Sequence, residues 1–485
     1  MLLTGLLLIP LLGMLVILAM PKTAATSIRR VATAATALTF LLSLRILVGF
    51  QPGAAGFQFE QQLTWIPQLS ASYHVGIDGI SVPMILLTTL LALLASISSW
   101  TIGERQKEYF ILYLLLEVGM LGTFIALDLF LFYVFWELVL VPMYFLIGIW
   151  GGGRREYSAF KFFVYTLAGS LFMLLGVLAL YFHTHTFNLP MLAQLGPKLP
   201  VDLQHILFVA FFLGFAIKVP IFPFHTWLPD AHVDAPTPIS VLLAGVLLKM
   251  GGYGFFRISY PIFPAGAQWF AVAMGTLGAI NIVYGAFVAM ARTDFKKLVA
   301  YSSVSHMGFV LLGLASLTPE GMNGAMLQMF THGIITGGMF LLVGVLYDRA
   351  HTRQLDAFGG LATRMPVYGA FLIFFSLASL GLPGLAGFVS EFLSLVGTFA
   401  THHVATSVAV IGIVVSAAYM LMVMQRILLG PLNEKWKSLP DMTARELAML
   451  VPLTILVLAV GVYPLLVLGL QEPTVLALVQ HITGS

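Results

Sequence analysis

Gly214-Phe-Ala-Ile-Lys-Val-Pro-Ile-Phe-Pro223 is a stretch that no ordinary bilayer helix carries. It lies in an apolar run over roughly 205–226, yet it sets a charged Lys218 just ahead of Pro220 and Pro223. Each proline removes a backbone hydrogen bond and clashes with the preceding turn. At membrane depth such a break is tolerated where the backbone lines a cavity or is covered by protein. The same conjunction recurs at Leu377-Ala-Ser-Leu-Gly-Leu-Pro-Gly384, where Pro383 is followed by Glu391. In the span count below the two breaks lie five spans apart. Five is odd, so the two units would run in opposite senses through the membrane. This is the inverted-repeat signature of secondary transporters; a pair of packing kinks is the plainer alternative.

The rest of the chain fits that setting. Of its 485 residues, 59% are hydrophobic and 9% charged, against roughly 25% charged in a soluble domain. Runs long enough to cross a bilayer fall at about 2–20, 31–49, 80–101, 110–127, 129–150, 160–182, 205–226, 239–257, 267–290, 298–316, 322–347, 367–398, 405–428 and 447–470. The expected fold is all-α, with fourteen spans. Spans 7 and 12 are broken, and spans 4–8 and 9–13 form two inverted five-helix repeats. The domains follow as 1–109, 110–257, 258–430 and 431–485. The first run has no basic residue ahead of it and Lys22 after it, the reverse of a signal peptide. The loop from Phe50 to Gly79 is expected to fold back on the membrane surface. The absence of cysteine excludes disulfides, cysteine-ligated zinc and ordinary iron–sulfur clusters.

Basic residues test the count. Lys22, Arg29, Arg30, Arg105, Lys107, Arg154, Arg155, Lys161, Arg292, Lys296, Lys297, Arg349, Arg353, Arg364, Arg426, Lys435, Lys437 and Arg445 all follow odd-numbered spans, whereas even-side loops hold only Lys198 and Arg257. The positive-inside rule then places the odd loops in the cytoplasm and both termini outside.

A few charges stay inside the spans: Glu117, Glu137, Lys218, Lys249 and Glu391, joined by His306 and His332. Their placement is costly, and intramembrane ionisable groups persist where they face protein or water. Gly245, Lys249 and Gly252 share one helix face, and small residues permit close helix packing. Tyr133, Glu137 and Tyr144; Gln328, His332 and Thr336; and Glu391, Ser394 and Thr398 form polar stripes. Together these stripes suggest a hydrated path whose titratable groups load and unload protons. The structural alternative reads each charge as one half of an ion pair and each histidine as a hydrogen-bonded packing residue. For Glu117 a structural role or a water contact is favoured.

Longer motifs carry a resemblance. Tyr73–Val82 (YHVGIDGISV), Phe135–Gly152 (FWELVLVPMYFLIGIWGG), Thr226–Val241 (TWLPDAHVDAPTPISV), Leu298–Phe309 (LVAYSSVSHMGF) and Gly387–Phe392 (GFVSEF) resemble the antiporter-like membrane subunits of proton-pumping NADH:quinone oxidoreductase, respiratory complex I. Within them the chain is most similar to the M, or chain 4, branch. It lacks a long lateral helix and has glutamate at 391, where the L and N branches and Mrp-type antiporters usually carry lysine. The resemblance implies that Glu137 and Lys218 form an input pair and that Lys249 is a central relay. It also implies that His306 and His332 link onward and that Glu391 is the output group. It implies further that Asp78, Asp230 and His232 serve the loops. A Glu137–Lys218 ion pair that opens and closes would switch the proton affinity of Lys218. The chain itself is expected to hold no cofactor or metal. By resemblance, NADH, FMN, iron–sulfur clusters and quinone belong to partner subunits, and the partners are L- and N-type and small membrane-arm subunits in a bacterial plasma membrane, with no nucleic acid. A Mrp-type sodium/proton antiporter, a ferredoxin- or hydrogenase-linked relative, and a passive spacer in the membrane arm are the alternatives.

Overall fold

The computed structural model describes residues 1–484. Among the described residues, fourteen helices are long and apolar enough to cross a bilayer. All but the last fall on expected spans. Spans 1 to 6 are Leu2–Ala19, Ala25–Gly49, Ser81–Thr101, Gln106–Ile125, Leu129–Trp150 and Arg155–Thr184. Span 7 is Val201–Lys218 followed by Trp227–Asp234, and span 8 is Thr237–Ile262. Spans 9, 10 and 11 are Pro264–Met290, Phe295–Ser316 and Pro319–Ala350. Span 12 is two short helices, Pro366–Ser379 and Ala386–Phe399. Spans 13 and 14 are His403–Leu428 and Ala444–Val462. Spans 8, 10 and 11 are almost wholly buried and form the centre of the bundle, while span 1 and span 14 expose most of their surface.

Two features depart from the sequence reading. Between spans 2 and 3 the chain makes an antiparallel hairpin, β1 (Gln58–Ile66) and β2 (Ala71–Ile77). The hairpin marks one end of the bundle, called here the hairpin face. The N-terminus lies there, because Thr4 bonds Gln61 at 2.5 Å and lies 3.0 Å from the Tyr73 hydroxyl. The second departure is at the C-terminus. The run taken as 447–470 stops at Val462, since Pro464 cannot continue the helix, and a further helix, Leu465–Thr483, follows. This helix does not cross the bundle. Thr474 accepts from the Gly79 amide at 3.1 Å, Gln471 donates to Asn323 at 2.8 Å, and Ile482 accepts from Gln268 at 2.5 Å. His481 lies 2.9 Å from the Pro261 carbonyl. Every one of these partners sits at the hairpin-face end of its span, so the helix lies across that face. Thr4, near the start of span 1, and this last helix therefore lie at the same face of the bundle.

One device recurs on opposite faces. Asp128 caps span 5, and its neighbours Leu127 and Leu129 exchange backbone bonds with Leu189 and Phe187. Asp294 caps span 10, and Thr293 and Phe295 exchange the same bonds with Leu355 and Arg353. Asp128 accepts from Ser72 on the hairpin face; Asp294 sits at the other end, among the basic residues, 3.3 Å from Arg353. An N-cap of this kind is worth about 1 kcal/mol, and its repetition five spans later with reversed sense is what two inverted units would show.

The absence of native cysteine makes the C-terminal placement easy to test. Single cysteines at Leu465 and at His481 should both react with a membrane-impermeant thiol reagent from the same side. Labelling from opposite sides would mean that the helix crosses.

Candidate functional site

The break in span 7 is stitched by span 9. The first half-helix ends at Lys218. Beyond it, Asn281 donates to the Pro220 carbonyl at 3.0 Å and accepts from the Phe222 amide at 2.8 Å. Trp227 Nε1 donates to the Ile217 carbonyl at 2.9 Å. These bonds replace those that the prolines remove, as a break at this depth requires. The Phe222–Pro223 peptide is cis. Lys218 is buried, with its ammonium 5.0 Å over the Trp136 ring and 5.8 Å over Phe162, within range of a cation–π attraction. The Glu137 carboxylate lies beside the Tyr133 hydroxyl and within electrostatic reach of Lys218, but makes no direct ion pair with it. Its Oε1 is buried without a partner, and among the described residues the Glu137–Lys218 ion pair is not closed.

Span 12 breaks differently. Gly381 and Gly384 take φ of +81° and +92°, a region that glycine enters without steric cost. Gly387 then packs on the Ala378 carbonyl so closely that a Cβ would fall 2.3 Å from its oxygen. The turn folds Glu391 back toward the break, where a Cβ on Gly381 would lie 3.1 Å from Glu391 Oε2.

Between the breaks runs a row of buried titratable groups. Lys249 is fully enclosed in span 8, packed beside Gly245 and Gly252, each of which admits a neighbouring side chain where a Cβ would be. Its ammonium donates to the Ala244 carbonyl and to His332 Nδ1, the latter at 2.6 Å. The backbone is locally wound into π-turns at Leu243–Leu247 and Phe255–Ser259, on either side of it; such turns are often found at functional sites. An ammonium only donates, so Nδ1 of His332 accepts and the ring proton sits on Nε2. The His332 and His306 rings are 5.7 Å apart. His306 Nδ1 is 2.9 Å from Glu391 Oε1, and its Nε2 is 3.2 Å from Ser379 Oγ. His306, His332, Ser379 and Glu391 line one small cavity with Gln328 and Thr331, of a size to admit about one water. Gln328 donates to the His306 carbonyl and accepts from Ser390, which also lies 2.8 Å from Thr331.

The structure thus brings Lys249, His332, His306 and Glu391 into one row. Lys218 and Glu137 stand apart from it with no hydrogen bond into it. Glu117 is enclosed in span 4, and neither carboxylate oxygen has a partner among the described residues. Asp230 bonds Lys161 at 2.7 Å, and His232 stacks on Phe340 at 4.6 Å. Arg257, read as a loop residue, is instead buried in the last turns of span 8 and paired with Asp78. Asn281, Ser379 and Ser390 were not singled out by sequence. The signal was present for Asn281, an amide in an otherwise apolar span, but its partner carbonyls could not be read from order alone.

The chain is similar to known proteins over nearly its full length. A family profile described as NADH:quinone oxidoreductase/Mrp antiporter, TM, matches residues 126–416. NADH-quinone oxidoreductase subunit M of Rhodobacter capsulatus is 48% identical, over 93% of this chain and 90% of that protein. A chain of respiratory complex I from Thermus thermophilus, solved with bound NADH, superposes with a TM-score of 0.91 at 32% identity, over 99% of this chain and 100% of that one. A chain of the Mrp complex from Dietzia sp. DQ12-45-1b superposes at 0.87 with 21% identity, over 99% of each chain, and so shares the fold.

Two substitutions test how the breaks are held. Asn281→Ala leaves a buried amide and a carbonyl unpaired and should cost about 1–3 kcal/mol, read as a lower midpoint of thermal unfolding in detergent. An unchanged midpoint would contradict the stitching role. Gly381→Ala meets both a left-handed backbone and Glu391 Oε2. It should lower proton pumping in assembled complex, whereas wild-type pumping would show that the turn does not position Glu391.

Proposed function

The chain belongs to the NADH:quinone oxidoreductase/Mrp antiporter membrane family, and from that premise we propose that its buried row of Lys249, His332, His306 and Glu391 conducts protons. It is an antiporter-like, proton-translocating membrane subunit of the NADH-quinone oxidoreductase type, corresponding to subunit M of its relatives. The observation that carries the proposed path is the contact series itself: 2.6 Å from Lys249 to His332, 5.7 Å between the two imidazoles, and 2.9 Å from His306 to Glu391.

A proton held on Lys249 passes to Nδ1 of His332 while the proton on Nε2 leaves from the far side of the ring. Imidazole relays in this way because its two nitrogens exchange donor and acceptor roles. The small cavity bridges to His306, which delivers to Glu391 beside the glycine turn of span 12. Loading begins at the basic face, which is the cytoplasmic one by the positive-inside rule. There, Lys218 sits at the break of span 7 with Glu137 as its intermittent counter-charge. In the state described, that pair is open. Release is to the hairpin face, which makes both termini periplasmic in a bacterial plasma membrane. Residues 110–257 and 258–430 are the two inverted units, a reading supported by the mirrored Asp128 and Asp294 caps. Redox chemistry on NADH, FMN, iron–sulfur clusters and quinone belongs to partner subunits. L- and N-type and small membrane subunits are the neighbours within the arm.

A passive spacer would share the fold and the burial but not need the ammonium. In membranes with fully assembled complex, Lys249→Ala should abolish most NADH-driven proton uptake. Uptake at the wild-type level with normal assembly would favour the spacer.

A further inference from the structure

Span 8 carries a second polar line that the path above does not use. Lys249, Tyr253 and Arg257 follow at i, i+4 and i+8, on one helix face. At 1.5 Å per residue, Arg257 lies about 12 Å beyond Lys249 toward the hairpin face. The Lys249 side chain turns the other way, to Ala244. What lies between is closely bonded. Tyr253 is fully buried, and its hydroxyl donates to the Phe124 carbonyl at 3.0 Å, accepts from Arg257 Nε at 2.9 Å and lies 3.0 Å from Ser81 Oγ. Arg257 holds Asp78 with two bonds, at 2.8 and 2.5 Å, and donates to Ser81 at 3.1 Å. Asp78 in turn accepts from the Ile80 and Ser81 amides. Above the guanidinium sits the Phe57 ring, at 5.0 Å, at the root of the hairpin. The C-terminal helix closes the turn from outside: a Cβ on Gly79 would fall 2.2 Å from the Leu470 carbonyl.

We propose that the Asp78–Arg257 pair, with Tyr253 beneath it, is a proton seal that closes the direct way from Lys249 to the hairpin face, so that a proton on Lys249 can leave only through His332 and His306. The inference rests on the transport reading. A pump whose central lysine faced the release side directly would let protons run back. Three features suit a barrier rather than a relay. Guanidinium does not give up its proton in proteins. A fixed arginine charge in a narrow way excludes protons and other cations. The one hydroxyl on the line gives its only proton to a carbonyl and accepts from that guanidinium, so it has no proton free to pass along the line. The acidic partner holds the barrier in place and is itself fixed by backbone amides and by the lateral helix.

The test uses the complete complex reconstituted in liposomes with a trapped pH dye, under an imposed pH gradient and without NADH. Arg257→Gln should raise the passive proton leak several-fold, and Arg257→Lys should return it near the wild-type level. Adding Lys249→Ala to Arg257→Gln should remove the excess leak, because the leak runs through Lys249. Asp78→Asn, which keeps an acceptor but loses the anchoring charge, should leak in the same direction to a smaller extent, and it serves if Arg257→Gln does not assemble. A wild-type leak in either assembled variant overturns the seal. A leak that persists in the double variant overturns its connection to Lys249. Failure of the transport reading would appear separately, as normal NADH-driven pumping by Lys249→Ala alone.

Discussion

The constraint on which everything else depends is the absence of water in the bilayer core. Each buried polar group there needs a partner from the protein, and this chain breaks two helices at that depth. Span 7 is closed by Asn281 and Trp227, which take over the carbonyls and amide that Pro220 and Pro223 release. Span 12 is closed by glycines that let two helix ends meet backbone to backbone. The charges follow the breaks. Lys218 ends the first half-helix of span 7, and Glu391 stands in the second turn of the second half of span 12.

Between them the polar groups form a one-dimensional order. Lys249 looks toward Ala244 and His332, and His306 looks toward Glu391. Ser379 bonds the His306 ring, and Gln328, itself held by Ser390, bonds the His306 backbone carbonyl. A charge at the bilayer centre costs about 2.5–3.5 kcal/mol on insertion scales. Lys249 recovers part of this through two acceptors, while Lys218 has aromatic faces and the more distant charge of Glu137. Lys218 is thus the less satisfied of the two lysines in this state, which fits a site whose counter-charge comes and goes. On the far side of Lys249, Arg257 and Asp78 are paired with each other and held by Tyr253, Ser81 and backbone amides, and that direction is closed.

Much of this was legible in the sequence, for definite reasons. Apolar runs, the one-sided distribution of arginine and lysine, and prolines beside charges are local signals, and they placed the spans, both breaks and the buried charges. The features that were not legible depend on contacts across the bundle. Gln58–Ile66 alternates polar and apolar residues, but it lay in a loop rich in Gly, Pro and Gln and was read as surface chain. The apolar run through Pro464 hid the turn that lays the last helix across the hairpin face. Arg257 counted as a loop charge because its distance from the end of span 8 could not be judged without the π-turn that extends it. The distance between Glu137 and Lys218 is not readable from sequence order, and here the two make no direct ion pair while the Lys218 ammonium lies over Trp136 and Phe162. Asn281 looked like any single amide in an apolar helix until the carbonyls of span 7 were seen opposite it.

The measurement that bears most directly on the central claim is the number of protons pumped per electron by reconstituted complex carrying Glu391→Gln, with assembly and NADH:quinone turnover determined in the same preparation. Glutamine keeps the shape and the hydrogen-bonding reach but cannot take a proton from His306. The account predicts fewer protons per electron in complex that still turns over. An unchanged ratio would mean that protons do not leave the row through Glu391, and the path from Lys249 would have no exit.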